Sequence, residues 1–299
     1  MTIPARERWH CAKSSLLLVA AVILLGFAVI ALSIRLGGAN SIPIGAVPHL
    51  HGIAVDAFDS SQLLLATHNG LYRASLDGIA RRVSSDGDDY MGFTLHPADA
   101  SLFYASGHQA SGSNLGVISS KDGGQRWTEL SSGAYGPVDF HAIAVSQTDP
   151  TVLYGAFGGI QISRDGGRTW SIAGLAPADV IDLAVSSESA DVIYAATKRG
   201  LMISRDAGKM WEMAVPQTQP STMVETMPDG TIYAFVIGSG LIKLPRSGSS
   251  WRPVNEAFSD QLLLYLAADP TDPLRLFAVT DAGRILNSTD GGQTWMLFT

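Results

Sequence analysis

The chain reads Ser163-Arg-Asp165-Gly-Gly167-Arg-Thr-Trp170 near its middle, and three other stretches repeat the pattern Ser-x-Asp-x-Gly-x-x-Trp. An Asp carboxylate can accept hydrogen bonds from N–H groups of its own turn, and glycine permits a positive φ. The Trp then begins a strand and offers a large ring for burial. Each copy therefore predicts a tight hairpin. The four copies contain Ser120, Asp122, Gly124 and Trp127; Ser163, Asp165, Gly167 and Trp170; Ser204, Asp206, Gly208 and Trp211; Ser288, Asp290, Gly292 and Trp295.

The hairpins divide the chain into units of similar length. Two weaker copies, at 75–78 and 247–251, fill the gaps between the four complete ones. Three short apolar runs precede each copy and a fourth begins at the Trp position, which predicts four strands per unit. Four-stranded units every 40–50 residues are typical of a β-propeller. We predict an all-β, six-bladed propeller of four-stranded antiparallel blades, with units that begin at residues 51, 91, 141, 181, 222 and 264.

The octapeptide resembles the Asp-box, or BNR, repeat of sialidases, sortilin-type receptors and photosystem assembly factors. Over residues 49–299 the chain is also similar to small outward-facing Asp-box propellers that open with a His-x-His-Gly segment, here His49-Leu-His51-Gly52. Those propellers often carry a glycosyl-hydrolase label. The resemblance implies the propeller fold, whereas the box itself is a structural turn that implies no particular activity.

An apolar stretch precedes the repeats. Residues 14–34 carry no charged side chain, and about 21 residues in a helix can cross a hydrocarbon core of about 30 Å. Residues 35–48 are rich in glycine and proline. We therefore predict a cytoplasmic tail at 1–13, a transmembrane signal anchor at 14–34, a linker at 35–48 and the propeller at 49–299.

Basic residues predict the orientation of this anchor. Arg6, Arg8 and Lys13 precede the apolar stretch, while only Arg35 follows it before Arg73. Because positive charges stay in the cytoplasm, the propeller is expected outside it, in the periplasm or outside the cell. The inner membrane, reached through one helix, is thus the first predicted partner.

The bulk composition excludes several classes of function. The net charge is −7 and no long basic run is present, so nucleic acid is not an expected partner. Cys11 is the only cysteine, which excludes a disulfide within the chain and a cysteine-based metal site in the propeller.

Antiparallel strand order places most histidines at one end of the predicted blades. This end contains the starts of the first strands and the loops between the second and third strands, and we call it the histidine rim. The opposite end, with the hairpins of the octapeptides, is the box rim. Imidazoles are ligands for Cu, Zn or Ni, and a thioether adds a preference for Cu(I). The residues predicted to form a Cu or Zn site on the histidine rim are His49, His51, His68, Met91, His108 and His141. The alternative is that these loop histidines only bond to the backbone.

Acidic side chains suggest a different chemistry on the same rim. Asp89, Asp139 and Asp179 each precede a first strand by two residues. Two carboxylates about 5–10 Å apart can hydrolyse a glycoside, so these are candidate catalytic residues. As strand-end caps they would instead accept backbone hydrogen bonds. The three arginines that the sialidase resemblance would require are not visible, because the segment before the first unit reads Ser-Ile-Pro43.

Three functions are consistent with these patterns. The first is a non-catalytic binding or scaffold module that uses the histidine rim for a protein or carbohydrate partner. The second is a metal-binding protein of the copper-handling type. The third is a glycoside hydrolase without a sialidase arginine triad.

Overall fold

The computed structural model describes residues 41–256, 258 and 260–298. The predicted tail at 1–13 and transmembrane helix at 14–34 lie outside this part of the chain. Within it, no helix combines the length and the apolar character needed to cross a membrane. Residues 42–299 form one compact unit.

Six antiparallel sheets follow one another along the chain, one for each predicted unit. The first three blades contain β1 (Ser41–Pro43), β2 (Leu50–Val55), β3 (Gln62–Thr67), β4 (Gly70–Ser75) and β5 (Ile79–Arg82); β6 (Asp89–Leu95), β7 (Phe103–His108), β8 (Asn114–Ser120) and β9 (Thr128–Ser131); β10 (Ile143–Val145), β11 (Leu153–Ala156), β12 (Ile160–Ser163) and β13 (Ser171–Gly174). The last three contain β14 (Val180–Val185), β15 (Ile193–Thr197), β16 (Gly200–Ser204) and β17 (Glu212–Met213); β18 (Ser221–Thr226), β19 (Ile232–Val236), β20 (Gly240–Leu244) and β21 (Arg252–Asn255); β22 (Leu263–Asp269), β23 (Asp272–Thr280), β24 (Ile285–Ser288) and β25 (Met296–Leu297).

The second strand of each blade is apolar on both faces. In β3, the side chains of Leu63, Leu64 and Leu65 are all fully buried. A continuous apolar run of this kind forms because neighbouring blades cover both faces of each sheet. The core is accordingly divided into clusters, most of which mix residues of two adjacent blades.

The octapeptides form the predicted hairpins. In blade 3, Ser163 Oγ accepts a hydrogen bond from Gly167 N at 2.8 Å, and Asp165 Oδ1 accepts one from Thr169 N at 2.9 Å. The Trp170 ring nitrogen donates to Gly167 O at 2.9 Å, which holds the indole over its own turn. The copies in blades 2, 4 and 6 repeat these contacts.

Strand register confirms that the two rims are opposite ends of a blade. In blade 2, Asp89 pairs with His108, whereas Leu95 pairs with Phe103, and Phe103 pairs with Ser120 of the Asp-box hairpin. The six steps between the seven residues from Asp89 to Leu95 span about 20 Å at about 3.3 Å per residue. A side chain at the start of a first strand is therefore far from the box of its own blade.

The ring closes without a shared strand. Blade 6 supplies all four of its own strands, and β1 adds a fifth strand to the outer edge of blade 1, beside β5. Apolar residues of blades 1 and 6 join in one cluster, in which Ile53 and Phe277 take part and against which Ile42 packs. Part of the segment predicted as a linker thus contributes to the propeller, and a 3-10 helix at Ile44–Ala46 follows it.

Candidate functional site

The first strands of five blades begin with a β-bulge on the histidine rim. In blades 1 and 2 the extra residues are His51 and Met91, between Leu50 and Gly52 and between Tyr90 and Gly92. Irregularities of the same kind recur in blades 4, 5 and 6. Because a bulge turns a side chain out of the regular alternation, it can direct a residue into a site at the sheet edge.

Three residues of blades 1 and 2 form a tight triad. His51 Nε2 lies 3.3 Å from His68 Nδ1 and 3.5 Å from Asp89 Oδ1, and His68 Nδ1 also contacts Asp89 Oδ2. One ligand atom from each residue lies within 4.8 Å of the other two. We call His51, His68 and Asp89 the metal triad.

A second group of polar residues extends the metal triad toward blade 3. His108 Nε2 lies 2.8 Å from Asp139 Oδ2, and His141 Nε2 lies 3.0 Å from the same oxygen. The other nitrogen of His108, Nδ1, lies 3.8 Å from Asp89 Oδ2. His108 therefore stands between the two carboxylates, with one ring nitrogen toward each.

The cluster is buried at its base and open at its top. The Asp89 and Asp139 side chains are 14% and 10% exposed, whereas those of His68 and His141 are 46% and 57% exposed. Asp89 Oδ1 and Asp139 Oδ1 are buried and have no hydrogen-bond partner among the described residues. A buried carboxylate oxygen without a hydrogen bond lowers the stability of the fold. In native proteins such an oxygen often binds an ion or a ligand.

Burial and charge affect the histidines of the two groups in opposite ways. Burial lowers the pKa of His51 to about 4, even though Asp89 favours its protonation. The hydrogen bond to Asp139 raises the pKa of His141. Burial would raise the pKa of Asp139, but His141 and His108 outweigh that effect and hold it below its usual value.

The remaining predicted residues lie around the cluster or away from it. The ring of His49 is stacked on that of His51 with centroids 5.7 Å apart, and it lies 5.3 Å from that of His68. Met91 is half-buried at the bulge of blade 2. Asp179 is exposed and pairs with Lys198 Nζ at 3.0 Å; among the described residues it forms no hydrogen bond or ion pair with the groups around Asp89 and Asp139.

The sequence predicts the histidines and the carboxylates on the same rim, but as ligands for a metal on the one hand and as a glycosidase pair on the other. Asp89 and Asp139 were expected as catalytic groups or strand-end caps, and in the structure their carboxylates face imidazoles. Their common position, two residues before a first strand that opens with His or Met, was the signal that could have indicated a joint site.

Comparison with known proteins supports the repeat and the fold. A family model for the BNR/Asp-box repeat matches residues 161–171. No curated protein matches the chain in sequence. Solved structures match well, but all those described below are under 25% identical to this chain, which limits the likeness to the fold.

Three such structures illustrate the range of proteins with this fold. A GH74 enzyme from Niastella koreensis has a TM-score of 0.62 at 17% identity; the match covers 86% of this chain and 46% of the enzyme, so this chain spans about half its length. YCF48 bound to D1 peptide has a TM-score of 0.54 at 17% identity, and the match covers 86% and 83% of the two chains. A nidogen/laminin complex gives a TM-score of 0.58 at 9% identity, with 79% and 91% covered. The chain is therefore a six-bladed β-propeller built on Asp-box (BNR) repeats.

Proposed function

We propose that this protein is a membrane-anchored, extracytoplasmic binding module whose histidine rim binds a divalent first-row transition metal ion. The observation that carries the proposal is the metal triad, in which two imidazole nitrogens and one carboxylate oxygen lie within 4.8 Å of one another. The anchor and the orientation rest on the apolar stretch at 14–34 and on the basic residues that precede it.

The spacing of the donor atoms suits a small divalent ion. Ligands about 2.1 Å from a tetrahedral zinc ion stand about 3.4 Å apart. In the triad, His51 Nε2 lies 3.3 Å from His68 Nδ1 and 3.5 Å from Asp89 Oδ1, and both distances are close to this value. An ion held there would also satisfy Asp89 Oδ1, which has no hydrogen-bond partner among the described residues.

The donor types favour some metals over others. Imidazole nitrogen suits Zn, Cu, Ni and Fe, and a carboxylate adds preference for a harder ion. The metal triad is complete without the thioether of Met91, so Zn(II) or Cu(II) fits its donors better than the Cu(I) that a Met-rich site would select. Three protein ligands also leave a coordination position for water or for a donor of a partner.

Metal titration of the full-length chain in detergent tests this proposal. We expect one equivalent of Zn(II) or Cu(II) to bind, and we expect His51→Ala and Asp89→Asn each to lower the affinity at least tenfold. His96→Ala is the matched control, because His96 lies at the box-rim end of blade 2, where its Nδ1 accepts a hydrogen bond from Ala98 N. Absence of a bound ion, or equal affinity in all four proteins, would reject the proposal.

A partner on the same rim is the broader part of this function. Two of the similar structures are complexes, one of YCF48 with a peptide and one of nidogen with laminin. They support the proposal that this chain, too, uses its propeller to bind a protein or a peptide. A carbohydrate remains the alternative partner.

Glycoside hydrolysis is the second candidate. Asp89 and Asp139 lie beside opposite nitrogens of His108, and a GH74 enzyme shares the fold. The general acid of a glycosidase needs a raised pKa, whereas the pKa of Asp139 is lowered, which ranks this function below metal binding. A panel of chromogenic glycosides, with Asp139→Asn as the control, tests it; turnover that Asp139→Asn abolishes would reverse the ranking.

A further inference from the structure

The group beside the metal triad has a feature that simple hydrogen bonding does not explain. His108 brings Nε2 to 2.8 Å from Asp139 Oδ2, and its other ring nitrogen, Nδ1, faces the triad at 3.8 Å, a distance too long for a hydrogen bond. We propose that His108 is a further metal ligand through Nδ1, and that Asp139 is the positioning residue that makes Nδ1 available. This inference rests on the proposed metal site.

The contact with Asp139 determines where His108 carries its proton. An ionised carboxylate can only accept hydrogen bonds, so the 2.8 Å contact favours a proton on Nε2 of His108. In a neutral imidazole the other nitrogen, Nδ1, then bears the lone pair. That lone pair is the group that a metal ion binds.

His108 is not among the residues whose ligand atoms all lie within 4.8 Å of one another, so its ring must move inward to join a shared ion; Nδ1 is the nitrogen that faces the triad. It lies 3.8 Å from Asp89 Oδ2, near the separation of about 3.4 Å expected for two ligands of one tetrahedral ion. With His108 the site would contain three imidazoles and one carboxylate. Asp139 would then occupy the outer position of a carboxylate–histidine–metal arrangement, in which the carboxylate fixes both the tautomer and the ring orientation.

His141 offers a matched comparison for His108. In each, Nε2 faces the same oxygen, Asp139 Oδ2, at 3.0 Å for His141 and 2.8 Å for His108. Only His108, however, presents its second nitrogen to Asp89. The two substitutions His108→Ala and His141→Ala therefore each remove one imidazole from Asp139, and only the first removes a proposed ligand.

The test uses the full-length chain, labelled with ¹⁵N at histidine, and follows the imidazole nitrogens by NMR before and after one equivalent of Zn(II). Single His→Ala variants assign the resonances. We expect His108 to be protonated at Nε2 without zinc, and we expect zinc to shift its Nδ1 together with one nitrogen each of His51 and His68. His141→Ala should retain all three zinc-shifted resonances, and His108→Ala should retain two.

The role of Asp139 is tested by Asp139→Asn in the same experiment. Loss of an outer carboxylate lowers metal affinity by about 10–100-fold. We expect a loss in that range and a changed proton distribution on the His108 ring, which a purely structural role would not produce. If zinc shifts His51 and His68 but not His108, the inference is wrong while the proposed function stands. If zinc shifts none of the three, the proposed function itself fails.

Discussion

At the scale of single residues, Asp182 stands apart from the acidic side chains of the surface. Its carboxylate accepts hydrogen bonds from Leu183 N at 2.9 Å and from Val224 N, in the next blade, at 3.0 Å. Burial raises the pKa of Asp182 to about 7 in spite of these bonds. Burial also raises the pKa of Glu225 well above its usual value, and the charge of Asp182 adds to that rise. The inner strands of blades 4 and 5 thus favour protonated carboxyl groups.

This pKa implies that stability depends on pH. Between the unfolded value of 3.8 and the folded value of about 7, the folded protein holds a proton on Asp182 that the unfolded chain has lost. The stabilising effect of that proton is complete below pH 4 and is lost as pH rises through 7. At higher pH the folded state must bury a charge.

We therefore predict that Asp182→Asn stabilises the protein at pH 8 and changes its stability little at pH 4. A gain of about 1 kcal/mol would raise Tm by about 2–4 °C in a domain of this size. Thermal unfolding of both proteins at the two pH values measures this, with the exposed Asp179→Asn as the control. A Tm shift of the same size at both pH values would contradict the assignment of the raised pKa.

Residue types and strand order were enough to place the candidate site on one rim, but not to show which side chains meet. His51, His68 and His108 could be assigned to that rim because antiparallel order fixes the end of the blade on which each residue lies. The contacts of Asp89 and Asp139 with these imidazoles depend on distances between blades, which no spacing within the sequence encodes. Met91 illustrates the same limit, since its position in the blade was predictable and its absence from the metal triad was not.

At the scale of elements, the bulge at the start of β6 depends on one close backbone contact. Gly107 of β7 has a φ of +150°, and a Cβ at this position would lie 2.0 Å from Asp89 O and 2.9 Å from Met91 N. The strand pair can bend here only because Gly107 has no side chain. The backbone that carries Asp89 is held in place by this contact.

We predict that Gly107→Ala displaces Asp89 and lowers both the Zn(II) affinity and the stability of the full-length chain. Gly112→Ala is the control, because Gly112 also has a positive φ, +95°, but open space around its Cβ position. Left-handed strain costs about 1–2 kcal/mol at either position, so the difference between the variants measures the steric clash. Equal zinc affinity in the two variants, measured by titration, would show that the bulge does not position the site.

The strands themselves were predictable from the Asp boxes, whereas the bulges were not. Each box fixes the end of a third strand and the start of a fourth, and turn residues separate the others. A bulge leaves no such marker, because His51, Met91 and their counterparts Ile181, Thr222 and Leu264 share no residue type.

At the scale of the whole ring, the repeat predicted six blades but left the mode of closure open. Both a strand from residues 42–47 and simple face-to-face packing were consistent with the sequence. The structure shows that β1 extends the outer edge of blade 1, and that the last blade meets the first through apolar packing. The interface between blades 1 and 6 joins residues more than 200 positions apart in sequence; for example, Arg275 Nη1 donates a hydrogen bond to Ser60 O at 3.0 Å. A pattern of neighbouring residues in the sequence cannot predict an interface of this kind.

Because no strand crosses from blade 6 to blade 1, the apolar cluster between them must hold the ring shut. Phe277 is fully buried in that cluster, where its ring lies 5.5 Å from that of Phe298. The Arg275 guanidinium lies over the Phe277 ring, 5.0 Å from its centroid, and donates a hydrogen bond to Ser60 O. If this interface is as well packed as those between the other blades, removal of the Phe277 phenyl group should lower the free energy of unfolding as much as removal of any other core phenylalanine.

We predict that Phe277→Ala lowers the free energy of unfolding by about 3–5 kcal/mol and that unfolding remains a single transition. Phe235→Ala is the matched control, since Phe235 is equally buried in the cluster between blades 5 and 6. Chemical denaturation, followed by tryptophan fluorescence and by circular dichroism, measures the loss in free energy of unfolding for each variant. Equal losses indicate that the interface between blades 6 and 1 is as stable as the interface between blades 5 and 6. A much smaller loss for Phe277→Ala, or an early separate transition, would instead identify the closure as the weak point at which the propeller opens.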